Sequence, residues 1–209
     1  MYIPRHFEEK RLDVLQALIR EYPLATLVTL TPDGLSANHI PLHFDDAPLP
    51  YGCLRGHVAR ANPVWQDVSP NVEVLTIFHG PQAYISPSWY PTKQETGKVV
   101  PTWNYVVVHA HGLLQVRDDP TWLRSQLEQL TQDSEQRFPE PWRVSDAPLD
   151  YTERLLAAIV GIEIVITRLS GKWKVSQNQS EGNREGVREG LRTQNAPQGT
   201  PMATLIPDI

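Results

Sequence analysis

Leu12, Leu15, Leu18, Ile19 and Tyr22 recur at steps of three and four residues, which puts them on one face of a helix over residues 8–22. Glu8 and Glu9 suit the positive end of that helix, and Pro23 stops it. The apolar run 24–30 then reads as a strand. Thr31-Pro32-Asp33-Gly34 is a turn, because Pro presets φ and Gly admits positive φ. Residues 35–44 return as a second strand and complete a hairpin. Tyr51–Val58 is a third strand, and Ala59–Val68 a short helix across a corner. Val72–His79 is a β-branched strand, broken at Gly80-Pro81 and followed by a short strand over 82–86. The two prolines of Ser86-Pro87-Ser88-Trp89-Tyr90-Pro91 open an ordered loop that runs to residue 102. Tyr105–Val116 is a long strand, 119–137 an amphipathic helix, and Tyr151–Val160 another helix. Residues 162–169 and 172–175 form a last hairpin about Ser170-Gly171.

About seven strands, mostly joined by hairpins and flanked by helices, predict a mainly β, antiparallel, Greek-key-like barrel. One domain is expected over residues 1–192, with an N-terminal and a C-terminal helix and an extended tail over 193–209. The 19 prolines in 209 residues, about 9%, exceed the usual ~5% and favour short elements over a long-helix bundle. A net charge of −5 argues against binding nucleic acid through the overall field. The lone cysteine, Cys53, excludes an internal disulfide. No apolar run approaches the ~20 residues of a membrane span, and no signal peptide is evident, so a cytoplasmic location without membrane contact is expected.

Four groups of residues carry candidate chemistry. Leu54 to Pro63 passes from a strand into a helix and offers Arg55, His57, Arg60 and Asn62, the donors and cations a phosphate needs; a solvated strand end is the alternative. Residues 86–105 gather Trp89, Tyr90, Trp103, Asn104 and Tyr105 with Lys93 and Lys98. Such a set suits a planar heterocycle, or anchors the loop to the barrel or to a second subunit. His109 and His111 share a strand face, but no metal-ligand spacing accompanies them, and no metal site is assigned. In the C-terminal helix Arg184, Arg188 and Arg192 form one stripe, Glu181, Glu185 and Glu189 a second, and Gly182, Gly186 and Gly190 a third. The glycine row implies close approach to something, and the charged stripes read better as a solvated face than as a DNA surface. No GxSxG nucleophile, GxGxxG fingerprint or Walker loop is present.

The opening Met1 to Phe7 and the segments Gly56 to Pro63, Tyr84 to Tyr90, Gly97 to Tyr105 and Gly171 to Asn178 resemble the PaiB-type proteins from residue 1 to about 192. That family is described as negative transcriptional regulators on an FMN-binding split-barrel fold, similar to pyridoxamine-phosphate oxidases. The resemblance implies a homodimer with FMN at the subunit interface. It also implies that the strand holding Asn38 and His39 lies along the flavin. The phosphate is then expected at the Arg55–Asn62 corner, with Arg60 as the main cation and His57 and Asn62 as donors. Gln82 would reach the flavin across the interface, and the last hairpin would add Lys174 or Gln177. The oxidases carry an arginine on the first of these strands, where this chain has Ala37 and Asn38, and an Arg-Lys pair at the corner, where it has Arg60. No catalytic residue is assigned. A flavin-dependent oxidoreductase and a haem-binding split barrel remain open beside the regulator.

Overall fold

The computed structural model describes residues 1–69, 71–193 and 199–207. Among the described residues, eight strands form an antiparallel sheet: β1 (Glu8–Glu9), β2 (Leu24–Thr31), β3 (Gly34–Pro41), β4 (His43–Asp45), β5 (Cys53–Ala59), β6 (Val74–Ile85), β7 (Thr102–Arg117) and β8 (Ile159–Lys174). Their order is β3-β2-β6-β7-β8-β5-β4, with β1 paired to β8. The helices are α1 (Leu12–Glu21), α2 (Val64–Asp67), α3 (Thr92–Thr96), α4 (Pro120–Glu135), α5 (Leu149–Ala157), α6 (Glu181–Thr193) and α7 (Gly199–Thr204). The chain divides into two compact units, each assembled from separate stretches. The first comprises residues 1–15, 79–108 and 170–209, and the second 16–78 and 109–169. No helix among the described residues is long and apolar enough to cross a membrane.

In the second unit the first hairpin forms as its turn chemistry predicts, with Thr31 opposite Gly34 and Leu24 opposite Pro41. Gly34 has φ +115°, a conformation that Gly adopts without a steric penalty. The expected strand 35–44 is instead two, because the Leu42 N–H turns to the carbonyl of Pro23 between β3 and β4. β5 pairs with β8 from Cys53–Val165 to Ala59–Ile159. That pairing keeps residues 59–63 out of the helix expected there, and only Val64–Asp67 are helical. α4 starts where Asp119 accepts the N–H of Trp122 at 2.7 Å, with Pro120 in the first helical position. Trp122 lies so close to Gly161 that a Cβ there would stand 2.4 Å from the indole. Leu27, Leu42, Leu54, Leu123, Ile162 and Ile164 fill this unit's core.

In the first unit, Glu8 and Glu9 pair with Lys172 and Gly171, so the helix begins at Leu12 rather than at residue 8. The same pairing overturns the last hairpin: Ser170-Gly171 is no turn, and β8 runs unbroken through it. Gly171 is needed there, since a Cβ would lie 2.2 Å from Leu15. Gly80-Pro81 does not break β6 either. Pro81 lies beyond Leu75–Ile77, the stretch paired to β2, where a missing N–H does least harm. Within the segment expected to be an extended tail, Gly199–Thr204 are helical and Met202, Ala203 and Ile206 are buried; residues 194–198 and 208–209 of that tail lie outside the described residues.

Candidate functional site

The sequence candidates fall in two groups, one in each unit. The second unit holds Asn38, His39, Arg55, His57, Arg60 and Asn62, and there the charges are already balanced. Arg55 donates to Glu163 at 2.9 Å and to Asp45 at 2.6 Å. Glu163, with its side chain 8% exposed, also receives Arg117 at 2.5 Å. Burial pushes the Glu163 carboxyl up, but hydrogen bonds from Arg117 and Arg55 outweigh it and hold the group below the usual carboxylate range. Arg60 grips Asp118 with both terminal nitrogens, at 3.0 and 2.6 Å, and also donates to the carbonyls of Ala157 and Ile159 at 3.0 Å.

The remaining members of this group each have a side-chain partner within this unit. His57 Nδ1 meets Gln126 Oε1 at 2.9 Å, and His39 Nδ1 meets Thr26 Oγ1 at 3.1 Å. Asn62 donates to Asn38 at 2.8 Å and accepts the Val64 N–H at 3.0 Å. With its arginines held by carboxylates and its helix only four residues long, the corner is poorly suited to a phosphate. Arg60, expected as the main cation for a phosphate, stands here in an ion pair with Asp118. No group of three or more His, Cys, Asp or Glu that could hold a metal occurs among the described residues.

The first unit holds Gln82, Trp103, Asn104, Lys174 and Gln177. Lys174 ends β8, and its ammonium donates to Thr102 Oγ1 and to the Trp103 carbonyl, each at 2.5 Å. Burial, and then the neighbouring Lys172, draw its pKa below the usual lysine value. Asn104 is buried and donates to Ser176 Oγ at 2.9 Å. Ser176 is itself buried and stands at φ 63°, a left-handed conformation rarely taken by a non-glycine residue. Gln177 is turned back on its own loop: it accepts the Val175 N–H at 2.8 Å and donates to the Trp173 carbonyl.

A cavity of about 280 Å³ opens here, lined by Lys98, Thr102, Asn104, Lys174, Ser176 and Gln179 among others. Among the described residues, its lining holds two lysines and no carboxylate. Trp103 and Tyr84 stand edge to face with ring centroids 5.9 Å apart, and both are about half exposed. Gln82 and Tyr84, two apart on β6, are both exposed and so share a face. Sequence reasoning missed Thr102 and Ser176 as pocket residues, although both lie inside the quoted motifs.

The glycine row also finds its partner in this unit. A Cβ on Gly186 would come 2.0 Å from the Trp89 carbonyl oxygen, and one on Gly190 2.3 Å from the Trp89 indole; at Gly182 no described residue lies within 4 Å. Arg188, in the middle of the arginine stripe, binds Glu185 and the carbonyls of Ile206 and Pro207.

Residues 1–168 match the family described as “Putative FMN-binding domain”. The chain belongs to that family. It is 32% identical over 181 residues to the Bacillus subtilis protein named Protease synthase and sporulation protein PAI 2, covering 87% of this chain and 84% of the relative. An uncharacterized protein of Emericella nidulans is 38% identical over 218 residues, covering 88% and 87%. Among solved structures, the FAD and heme binding protein from Mycobacterium smegmatis superposes with a TM-score of 0.60 at 16% identity over 80% of this chain and 73% of its own. The flavocytochrome Anf3 from Azotobacter vinelandii does so with a TM-score of 0.57 at 11% identity over 82% and 72%. The fold is therefore the split barrel expected from the motifs. The cofactor of the family, FMN, combines an anionic phosphate with a planar ring. The first unit holds both a cavity lined by two lysines and, among the described residues, no carboxylate, and an exposed aromatic pair whose Trp103 alternates along β7 with the cavity-lining Thr102 and Asn104.

Proposed function

We propose that this FMN-binding split-barrel protein seats the flavin ring against the Trp103–Tyr84 face of the first unit and works, like a PaiB-type regulator, as a cytoplasmic homodimer in the control of transcription. The observation that carries the flavin seat is the exposed edge-to-face pair, 5.9 Å between centroids, with the amide of Gln82 on the same face as Tyr84. Aromatic side chains this exposed serve to cover a ligand or a partner. Trp103 is held in place because Lys174 binds its backbone carbonyl. When bound, FMN would supply redox chemistry that the side chains lack. The protein's own residues hold and orient the ring.

The regulatory part is supported by the resemblance of the long motifs to the PaiB-type proteins. The dimer is supported by exposed apolar side chains of the first unit, among them Val100, 73% exposed. Direct DNA contact is weak and salt-sensitive on this reading, because the chain carries −5 and Arg188 is engaged by Glu185.

The test is fluorescence titration of FMN and riboflavin against wild type and Trp103→Ala. Losing an aromatic pairing of about 0.5–1.5 kcal/mol should weaken both ligands about three- to tenfold. Unchanged affinity in the variant, or a wild type that binds neither flavin, overturns the seat. Sedimentation at micromolar concentration checks the dimer: a particle of 23.7 kDa would refute it.

A further inference from the structure

We infer that the first unit's cavity is a clamp for a terminal phosphate monoester, built from Lys98, Lys174, Thr102 and Ser176. The inference rests on the flavin reading only for the identity of the molecule that carries the phosphate. A lysine ammonium has three N–H donors. Lys174 uses two, on Thr102 Oγ1 and the Trp103 carbonyl, and keeps one for a ligand. The hydroxyl oxygens of Thr102 and Ser176 accept from Lys174 and Asn104, which leaves each O–H to donate. Gln179 accepts from Asn183 at 3.1 Å through its oxygen, so its amide NH2 also remains a donor.

The lining thus concentrates donors and two positive charges, with no carboxylate among the described residues to compete for them. A phosphate monoester carries up to two negative charges and three terminal oxygens, which matches that set. A carboxylate, with one charge and two oxygens, would leave buried donors unpaired. The volume of about 280 Å³ lies below the roughly 300–1,000 Å³ of sites that enclose a whole drug-sized ligand, so the cavity takes a headgroup and leaves the rest of the molecule outside. Ser176 supports the assignment independently: a buried non-glycine residue held at φ 63° is the kind of strain found at ligand clamps.

The decisive variant is Lys98→Ala. Lys98 is exposed, so its loss should spare the fold. Inorganic phosphate is titrated by calorimetry, and FMN and riboflavin by fluorescence, into wild type and variant. Phosphate should bind the wild type and compete with FMN but not with riboflavin. In the variant, inorganic phosphate and FMN should each weaken about three- to tenfold while riboflavin is unchanged. Lys174→Met should weaken FMN further and, because Lys174 also holds Trp103, should weaken riboflavin as well. Phosphate binding without any flavin binding would support the clamp and refute the flavin seat. FMN and riboflavin binding equally, with no effect of Lys98→Ala, would refute the clamp and leave the flavin seat standing. A wild type that binds none of the three overturns both.

Discussion

Replacing glycines of α6 one at a time should separate helix propensity from close packing. Alanine is favoured over glycine in a helix by about 0.8–1.0 kcal/mol. At Gly182 no described residue lies within 4 Å of a new Cβ, so Gly182→Ala should gain up to about that amount. For a chain of this length that raises the melting temperature by roughly 2–4 °C. Gly186→Ala receives the same local benefit but meets the Trp89 carbonyl oxygen at 2.0 Å, far inside ordinary van der Waals contact at 3.4 Å. A backbone atom cannot swing aside, so either the helix or the Trp89 loop must move. Overpacking of this kind costs about 1–3 kcal/mol, which cancels or exceeds the propensity gain and leaves a net loss of up to about 2 kcal/mol. Because Asn183 of α6 lines the cavity, displacement of the helix should also weaken FMN in Gly186→Ala and not in Gly182→Ala. Urea unfolding followed by tryptophan fluorescence, with an FMN titration of each variant, measures both effects. If Gly186→Ala is as stable as Gly182→Ala, the packing of α6 on Trp89 is wrong and the explanation of the glycine row falls with it.

Glu163→Gln should destabilise the protein by about 2 kcal/mol at pH 7, because two arginines lose a charged acceptor; their own partial exposure keeps the cost from being larger. Since the folded Glu163 has a lowered pKa, its contribution is complete above the unfolded value near 4.3 and fades as pH falls through the folded one. Wild type should therefore lose this stability in acid while Glu163→Gln shows no corresponding loss; parallel acid limbs in urea unfolding would refute the network. The Cys53 thiol is 1% exposed and burial pushes its pKa up to about 11, so an aromatic disulfide reagent at pH 8 should label it only as the chain unfolds. Complete labelling within minutes in native buffer would contradict that burial. Arg60→Ala should lower the melting temperature, since Arg60 ties Asp118 to the carbonyls of Ala157 and Ile159, and should leave the ratio of FMN to riboflavin affinity unchanged. A selective loss of FMN would return the phosphate to that corner.

What the chain determines by itself is what acts over a few residues. The turn at Thr31 to Gly34, the Asp119 cap of α4 and the amphipathic face of α1 all follow from spacing and backbone preference. The long motifs from Gly97 to Tyr105 and from Gly171 to Asn178 sufficed to indicate the family, because so many specific residues at fixed spacing do not recur by chance. The glycine row announced a close approach, though not that Trp89 was its object. The tertiary structure alone decided which charges meet. Arg60 looked like an open cation until Asp118, 58 positions away, was brought against it. Lys174 and Thr102 lie 72 positions apart and share one cavity only because β8 and β7 are neighbours in the sheet. Ser170-Gly171 has the composition of a turn, yet pairing with β1 keeps it extended, since a strand's environment outweighs a two-residue preference. Turn and helix propensities are short-range and legible along the chain. Charge balance and cavity lining depend on partners that the sheet brings together from distant positions, and nothing local records them.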